Sequence, residues 1–408
     1  MRFKVFLLSI IIVVFFSCDN TEYETITIAT PIIMSKAEFR NSVEILNPQI
    51  IDQSGKIYAY GDYIFINDMF QGVLIVDNTN PENPVNKSYI KIPGNIDIAI
   101  KDNFLYADSS IDLVVFDISD INNIHYIERL EDVFSIYDYE IPEEVQEVNW
   151  NNYNIETEVI VDWIITQEER EISDSNDDFI EIGGGDFALT TNNVGTGGSL
   201  ARFQIVNNYL YTVGENEMAI FDISNLAEPF LETTQYAGWN IETMFQADGY
   251  LYLGSTNGMY IYSLSNPSNP VYISEFVHWE GCDPVVVDGD YAYLTLRGGN
   301  LCGQEESVLE VIDVSDKSNP QLVESYTLEN PYGLGVKEDL LFVCDGTAGL
   351  KIFDKSDPLD LELLTQYPSI QSKDVIPLEN VLLIIGEEIL YQYEYTEDGI
   401  SQISTFSF

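Results

Sequence analysis

A short apolar phrase that closes on Asp and runs into a Ser/Asn/Pro turn returns along this chain with a period of about 40 residues, the mark of a repeat architecture. It reads LIVDNTNPENP from Leu74, LVVFDISDINN from Leu113, MAIFDISNLAEP from Met218, MYIYSLSNPSNP from Met259, LEVIDVSDKSNP from Leu309 and LKIFDKSDPLD from Leu350, with a looser LYQYEYTEDG from Leu390. The closing positions are Asp77, Asp117, Asp222, Ser263, Asp313, Asp354 and Glu394, separated by 40, 105, 41, 50, 41 and 40 residues. Seven units follow, and two of the intervals hold extra chain.

Ahead of each marker lies a second pattern, seen in DIAIKDNFLYAD, RFQIVNNYLYTV, VVVDGDYAYLTL and GVKEDLLFVCD. Two short runs rich in β-branched and aromatic residues flank a polar pair, which is the signature of a hairpin. The pairs Asp102-Asn103, Asn207-Asn208, Asp248-Gly249 and Gly289-Asp290 are residue types that tolerate a left-handed turn. With the marker strand and the short run after it, each unit has four strands. A sheet this small cannot bury both faces, so such units stack radially. The expected fold is all-β, a seven-bladed β-propeller of four-stranded blades, with 26 Tyr and 21 Phe packing blade against blade.

Together the phrases LIVDNTNP, LVVFDISD, MAIFDISN and LKIFDKSD resemble the LVIVD repeat of a family of bacterial propeller proteins that are often exported. The resemblance spans residues 54 to 408 apart from the insertions. It implies a propeller fold and carries no reaction that could be transferred to residues here.

The expected organisation is a signal peptide over 1–17, a lipidated N-terminus and tether over 18–53, blades over 54–133, an acidic insertion over 134–199, and the remaining blades over 200–408. Met1-Arg2-Phe3-Lys4 gives a basic start, and Val5 to Phe16 is an apolar run too short to span a bilayer comfortably. Ser17 before Cys18 resembles the lipobox of bacterial lipoproteins, with Phe15 where Leu is usual. Acylation of Cys18 would anchor the chain in the cell envelope, with the Gram-negative outer membrane the expected site. The stretch after Cys18 reads either as a tether or as a strand that closes the ring.

Asp and Glu total 68 against 17 Lys and Arg, a net charge of -51. Phosphate binding needs a basic surface, so nucleic acid is excluded as a partner. The two histidines, His125 and His278, and the cysteine spacing give no zinc pattern, and neither a metal nor another cofactor is expected. Asp174, Asn176 and Asp178 alternate like a calcium loop, but Phe179 and Gly185 stand where an EF-hand needs Gly and Glu.

Antiparallel strands send the second-to-third connections and the links between blades out on one face. Cys282 begins the fifth blade and Cys302 lies in its lengthened second-to-third connection, so a Cys282 to Cys302 disulfide is expected, leaving Cys344 unpaired. The insertion at 134–199 holds sixteen acids against Arg170 alone, contains the strand-like EVIVDWIIT, and leaves from the same face. Long loops on one face of a rigid scaffold suit recognition. The candidate binding face carries Trp239, His278, Trp279, Asp283, Arg297 and Asp345.

At equivalent points on the first strands stand Lys56, Asp97, Arg202, Thr243, Pro284, Gly333 and Asp374. Lys56, Asp97, Arg202 and Asp374 would put two cations and two carboxylates at the channel mouth, either as ion pairs between neighbouring strands or as catalytic machinery. No Gly-x-Ser-x-Gly elbow or P-loop is present, and carboxylates are too numerous here for a paired-acid argument to discriminate. The expected function is a lipid-anchored, non-catalytic scaffold for a protein or glycan. The alternative is a surface polysaccharide hydrolase or lyase that uses the channel-mouth charges.

Overall fold

A computed structural model describes residues 23–51, 53–134, 145–150, 153–171, 196–278, 284–298, 306–396 and 399–408. Seven antiparallel sheets each contain four strands consecutive in sequence. Their first strands are Ser54–Tyr60, Ile98–Lys101, Phe203–Val206, Phe245–Ala247, Val285–Asp288, Leu334–Lys337 and Asp374–Pro377. Each of these touches the next in chain order, and Asp374–Pro377 touches Ser54–Tyr60 again. The first strands therefore surround an axis, and the sheets radiate from it as in a propeller.

The repeated phrase has a mechanical explanation. Asp77, Asp117, Asp222, Asp313 and Asp354 each accept a hydrogen bond, 2.7–3.1 Å long, from the backbone N–H two residues on. Such Asx turns end the third strand and start the reversal. Ser263 does the same with its hydroxyl at 3.2 Å. The next residue then donates to the hairpin turn of its own sheet, as Ile118 does to Asn103 O and Leu264 to Gly249 O. Asp102, Asn103, Asp248 and Gly249 hold the positive φ those hairpins require.

In all seven sheets the pairing of third and fourth strands slips by one residue. The bulge falls at Lys87, Ile127, Glu232, Ile273, Val323, Leu364 and Ile403, residues skipped in the register. A bulge twists an outer strand away from further pairing, which protects an otherwise open edge.

Aromatic side chains pack between sheets as expected. Tyr106, Tyr211, Tyr252 and Tyr293, on successive second strands, are fully buried. The hydroxyls of Tyr106 and Tyr211 donate to Leu226 O and Pro267 O of the following sheet, at 2.8 and 2.7 Å. The ring closes without strand exchange, since all four strands of the seventh sheet come from residues 374–407. Ile57, Ile64 and Leu74 pack with Ile376, Leu383 and Leu390 across that seam. Asn78 and Gln392 exchange two hydrogen bonds over it, at 2.9 and 2.7 Å.

The N-terminal stretch, which the sequence leaves open between tether and closing strand, does something else. Tyr23–Ser35 pairs antiparallel along its length with Glu158–Glu171 and in parallel with Glu147–Val148, so an eighth sheet joins the N-terminal region to the insertion. A five-residue helix, Lys36–Arg40, follows, and Glu44–Leu46 then adds to the outer edge of the first sheet.

This assembly is latched to the second sheet. Asp112, buried in its second-to-third turn, accepts from Arg40 at 2.8 and 3.1 Å, from Arg129 at 2.7 Å and from Asp132 N at 2.7 Å. Lys36 and Arg40 also pair with Asp132. The Asp112 carboxylate holds the Arg40 guanidinium protonated well above its ordinary range. Val159 and Val161 pack on Ile111 of the same turn, and Gln71 of the first sheet's turn reaches Asp162 at 3.4 Å. The eighth sheet thus rests on second-to-third turns.

Candidate functional site

The axis is where the expected channel-mouth residues meet, and it is filled. Thr196–Gly197 adds to the inner edge of the first sheet, opposite Ala59 and Tyr58, and Gly198 N donates to Ile57 O at 3.3 Å. The chain then crosses to the seventh and sixth sheets. Ser199 donates to Asp374 Oδ1 from both N and Oγ at 3.0 Å, and its Oγ accepts from Leu334 N at 2.7 Å. Arg202 N and Phe203 N then donate to Asp97 Oδ2 of the second sheet, the latter at 3.0 Å. Residues 196–203 so touch the first strands of three sheets and the residue that leads into the first strand of a fourth.

Close approach at this point depends on missing side chains. A Cβ on Gly198 would fall 1.6 Å from Asp374 Oδ2, and one on Gly333 2.3 Å from Oδ1. Lys56, Asp97, Ser199, Arg202 and Asp374 are all buried. Lys56 Nζ lies 3.8 Å from Asp97 Oδ2. Burial pushes the Asp97 carboxyl up, and the nearby Lys56 charge and three backbone N–H donors oppose that shift. These groups join neighbouring first strands through ion pairing and backbone bonds. The structure brings Lys56, Asp97, Arg202 and Asp374 together at the axis, with residues 196–203 packed across them.

A third buried carboxylate, not singled out in the sequence, stands beside them. Asp108 Oδ1 accepts from Asn95 Nδ2, Ile96 N and Asp97 N at 2.7–2.9 Å. Burial raises its pKa to about 7, the donors pulling against that shift. Asp345 lies one register position further on in the sixth sheet, where Cys344 is the counterpart of Asp108. Asp345 is fully buried, accepts from Glu329 N and Asn330 N at 3.0 and 2.7 Å, and takes the Lys351 ammonium at 2.5 Å. Asp345 therefore belongs to the framework that shapes the link before its own sheet, and is not part of an exposed binding face.

The other expected face residues differ among themselves. Trp239 is 55% exposed. The His278 side chain is mostly enclosed, with Nδ1 3.0 Å from Glu310 Oε2 and its ring edge-on to Phe276. The Arg297 guanidinium stacks over Tyr332 at 4.5 Å. Cys344 is a buried free thiol, pushed up by burial. Cys18, Trp279, Cys282, Asp283 and Cys302 lie outside the described residues, and so do the expected disulfide and Asp174, Asn176 and Asp178. Among the described residues no cluster of His, Cys, Asp and Glu could hold a metal ion.

Four-stranded sheets around a filled axis, tied by Asx turns, define a propeller-like repeat protein. The LVIVD repeat matches residues 53–90, 95–130, 197–235, 247–277, 282–328 and 333–368, and the chain belongs to that family. The seventh sheet, from Asp374, follows the last match. No curated protein matches the sequence. Among solved structures, a periplasmic gluconolactonase of Pseudomonas aeruginosa is 8% identical, with 87% of this chain and 96% of that chain covered and a TM-score of 0.54. A protein from Lactobacillus plantarum is 11% identical, with 87% and 99% covered and the same score. The computationally designed Ika8 protein is 8% identical, with 88% and 89% covered and a TM-score of 0.52. At these identities the likeness is one of fold alone.

Proposed function

We propose that this chain is a seven-bladed propeller, held at the cell envelope through a lipidated Cys18, that binds a protein or glycan partner and catalyses no reaction. One observation carries the second half: the carboxylates nearest the axis, Asp97 and Asp374, are buried and accept from the backbone N–H groups of Ser199, Arg202 and Phe203. A catalytic acid or base must reach substrate, and these do not. Among the described residues, the insertion contributes a sheet seated on second-to-third turns of the first and second sheets, as suits recognition.

The test has two arms. Labelling cells with a fatty-acid analogue should mark the wild-type chain and leave Cys18→Ser unmarked. The purified chain should turn over neither lactones nor a polysaccharide panel. Turnover abolished by Asp97→Asn would instead assign a surface hydrolase or lyase and overturn the non-catalytic reading.

A further inference from the structure

Between Phe203 and Leu296 the sequence contains no Lys or Arg, although the whole chain has 17. That stretch supplies the third and fourth sheets and the first two strands of the fifth. The same sector holds four of the large exposed aromatics among the described residues, and three of them converge on one seam. Tyr236 ends the third sheet and is 65% exposed; Trp239, in the link to the fourth sheet, is 55% exposed; Tyr272, at the start of the fourth sheet's outer strand, is 49% exposed.

Hydrogen bonds and ring contacts fix their proximity. Gln235 Nε2 donates to Pro270 O at 3.0 Å, bringing the strand end at Tyr236 to the strand start at Tyr272. Buried Tyr262 donates to Ala237 O at 2.9 Å while its ring meets Tyr272 edge-on at 5.7 Å. Trp239 N donates to the Tyr260 hydroxyl at 3.2 Å, and Tyr260 pairs across the sheet with exposed Glu275. The Glu275 charge adds to the burial that raises both the Tyr260 and Tyr272 phenols. Glu217, also exposed, pairs with Tyr236. Beyond Glu275 a surface groove of about 460 Å³ continues past Val277 to Leu322 of the fifth sheet.

Apolar rings left in water beside carboxylates suit an occupant that brings positive charge and tolerates aromatic faces. Guanidinium and ammonium groups do both: they pair with Glu275 and sit over the faces of Trp and Tyr. Lys317, whose backbone O accepts from Ser274 of the fourth sheet, is itself turned onto the Tyr250 and Tyr252 rings at 5.8 and 5.9 Å. His278 faces Glu310. We propose that the aromatic seam between the third and fourth sheets, with the groove beside it, is a docking surface for an extended polypeptide segment bearing Arg or Lys. This rests on the scaffold reading above and names the chemistry of its partner.

The test uses the full-length mature chain and a fluorescein-labelled decapeptide of alternating Arg and Gly, with affinity read by polarisation at physiological salt. Tyr236→Ala, Trp239→Ala and Tyr272→Ala leave the net charge unchanged, so any loss reports the seam and not the general field. The triple variant should bind about tenfold more weakly or worse, from three exposed cation–π contacts. Phe230→Ala, which removes a ring 64% exposed at the far end of the strand that carries Tyr236, should bind as wild type. Unchanged affinity in the triple variant, or equal loss in Phe230→Ala, overturns the docking surface. So does a neutral cello-oligosaccharide that binds the wild type tightly and not the triple variant, since it assigns the seam to a glycan. None of these outcomes bears on catalysis, whereas lactone or polysaccharide turnover would sink the scaffold reading and leave the peptide result standing.

Discussion

Replacing Gly198 by Ala puts a methyl carbon where the Asp374 carboxylate already lies, 1.6 Å from Oδ2 and 2.4 Å from Cγ. Gly198 is outside the left-handed region of backbone space, so the substitution tests contact and not strain. Asp374 is fully buried and would have to swing away, giving up its bonds from Ser199 N, Ser199 Oγ and Val375 N. Hydrogen bonds to a charged group contribute about 1.5–3 kcal/mol each, so losing even two of the three costs about 3–6 kcal/mol. In an Asp374→Ala background the obstruction is gone, and Gly198→Ala should cost under about 1 kcal/mol, because Ala also restricts the unfolded chain. The double-mutant cycle, read by urea unfolding, should give a coupling of about 3 kcal/mol. Costs that add to within about 0.5 kcal/mol would show that residues 196–203 do not press on Asp374.

Other outcomes follow from buried charge. Asp112→Ala strands Arg129, leaves Arg40 only its Asp132 and Glu131 partners, and should cost about 3 kcal/mol, with faster hydrogen exchange across residues 23–35; unchanged exchange there would mean that the latch does not hold the eighth sheet. Asp108 has a raised folded pKa, so its protonated form favours the fold, and that stability is lost as pH rises from about 4 to about 7. Asp108→Asn should flatten the pH dependence of unfolding in that window, whereas Asp108→Ala should cost about 2 kcal/mol at any pH by orphaning three donors. The marker carboxyls behave oppositely: bonds from Ser or Thr lower them, so the turns they make weaken only as pH falls below their ordinary value of 3.8. A chain with Asn at Asp117, Asp222 and Asp313 should lose less thermal stability than wild type between pH 4 and 2.

What the sequence revealed was local chemistry with a rhythm. The Asp of each phrase is legible because an Asx turn needs a short side-chain acceptor at one place, so Asp77, Asp117 and Asp222 mark strand ends before any contact is known. Lys87, Ile127 and Glu232 share a bulge yet no residue type, because a one-residue slip is imposed by the outer edge and not by the side chain. Asp108, Asp112 and Asp345 are buried and indispensable to their turns, but among 68 acids nothing in composition separates them from solvated ones. Residues 196–203 gave one faint signal, the small residues Gly197, Gly198 and Ser199, which resemble a linker until Asp374 appears beside them. The pairing partner of Tyr23–Ser35 is not legible in the sequence, because it lies more than a hundred residues away in a stretch that no repeat marks.

Hydrogen exchange resolved to single amides of the folded chain tests the central claim most directly. The N–H groups of Ser199, Arg202 and Phe203 donate to buried carboxylates on the axis and should exchange only with global unfolding, as slowly as the first strands themselves. Exchange of these three at the rate of an open loop would mean that the axis is accessible to solvent, and a catalytic role for Asp97 and Asp374 would then stand again.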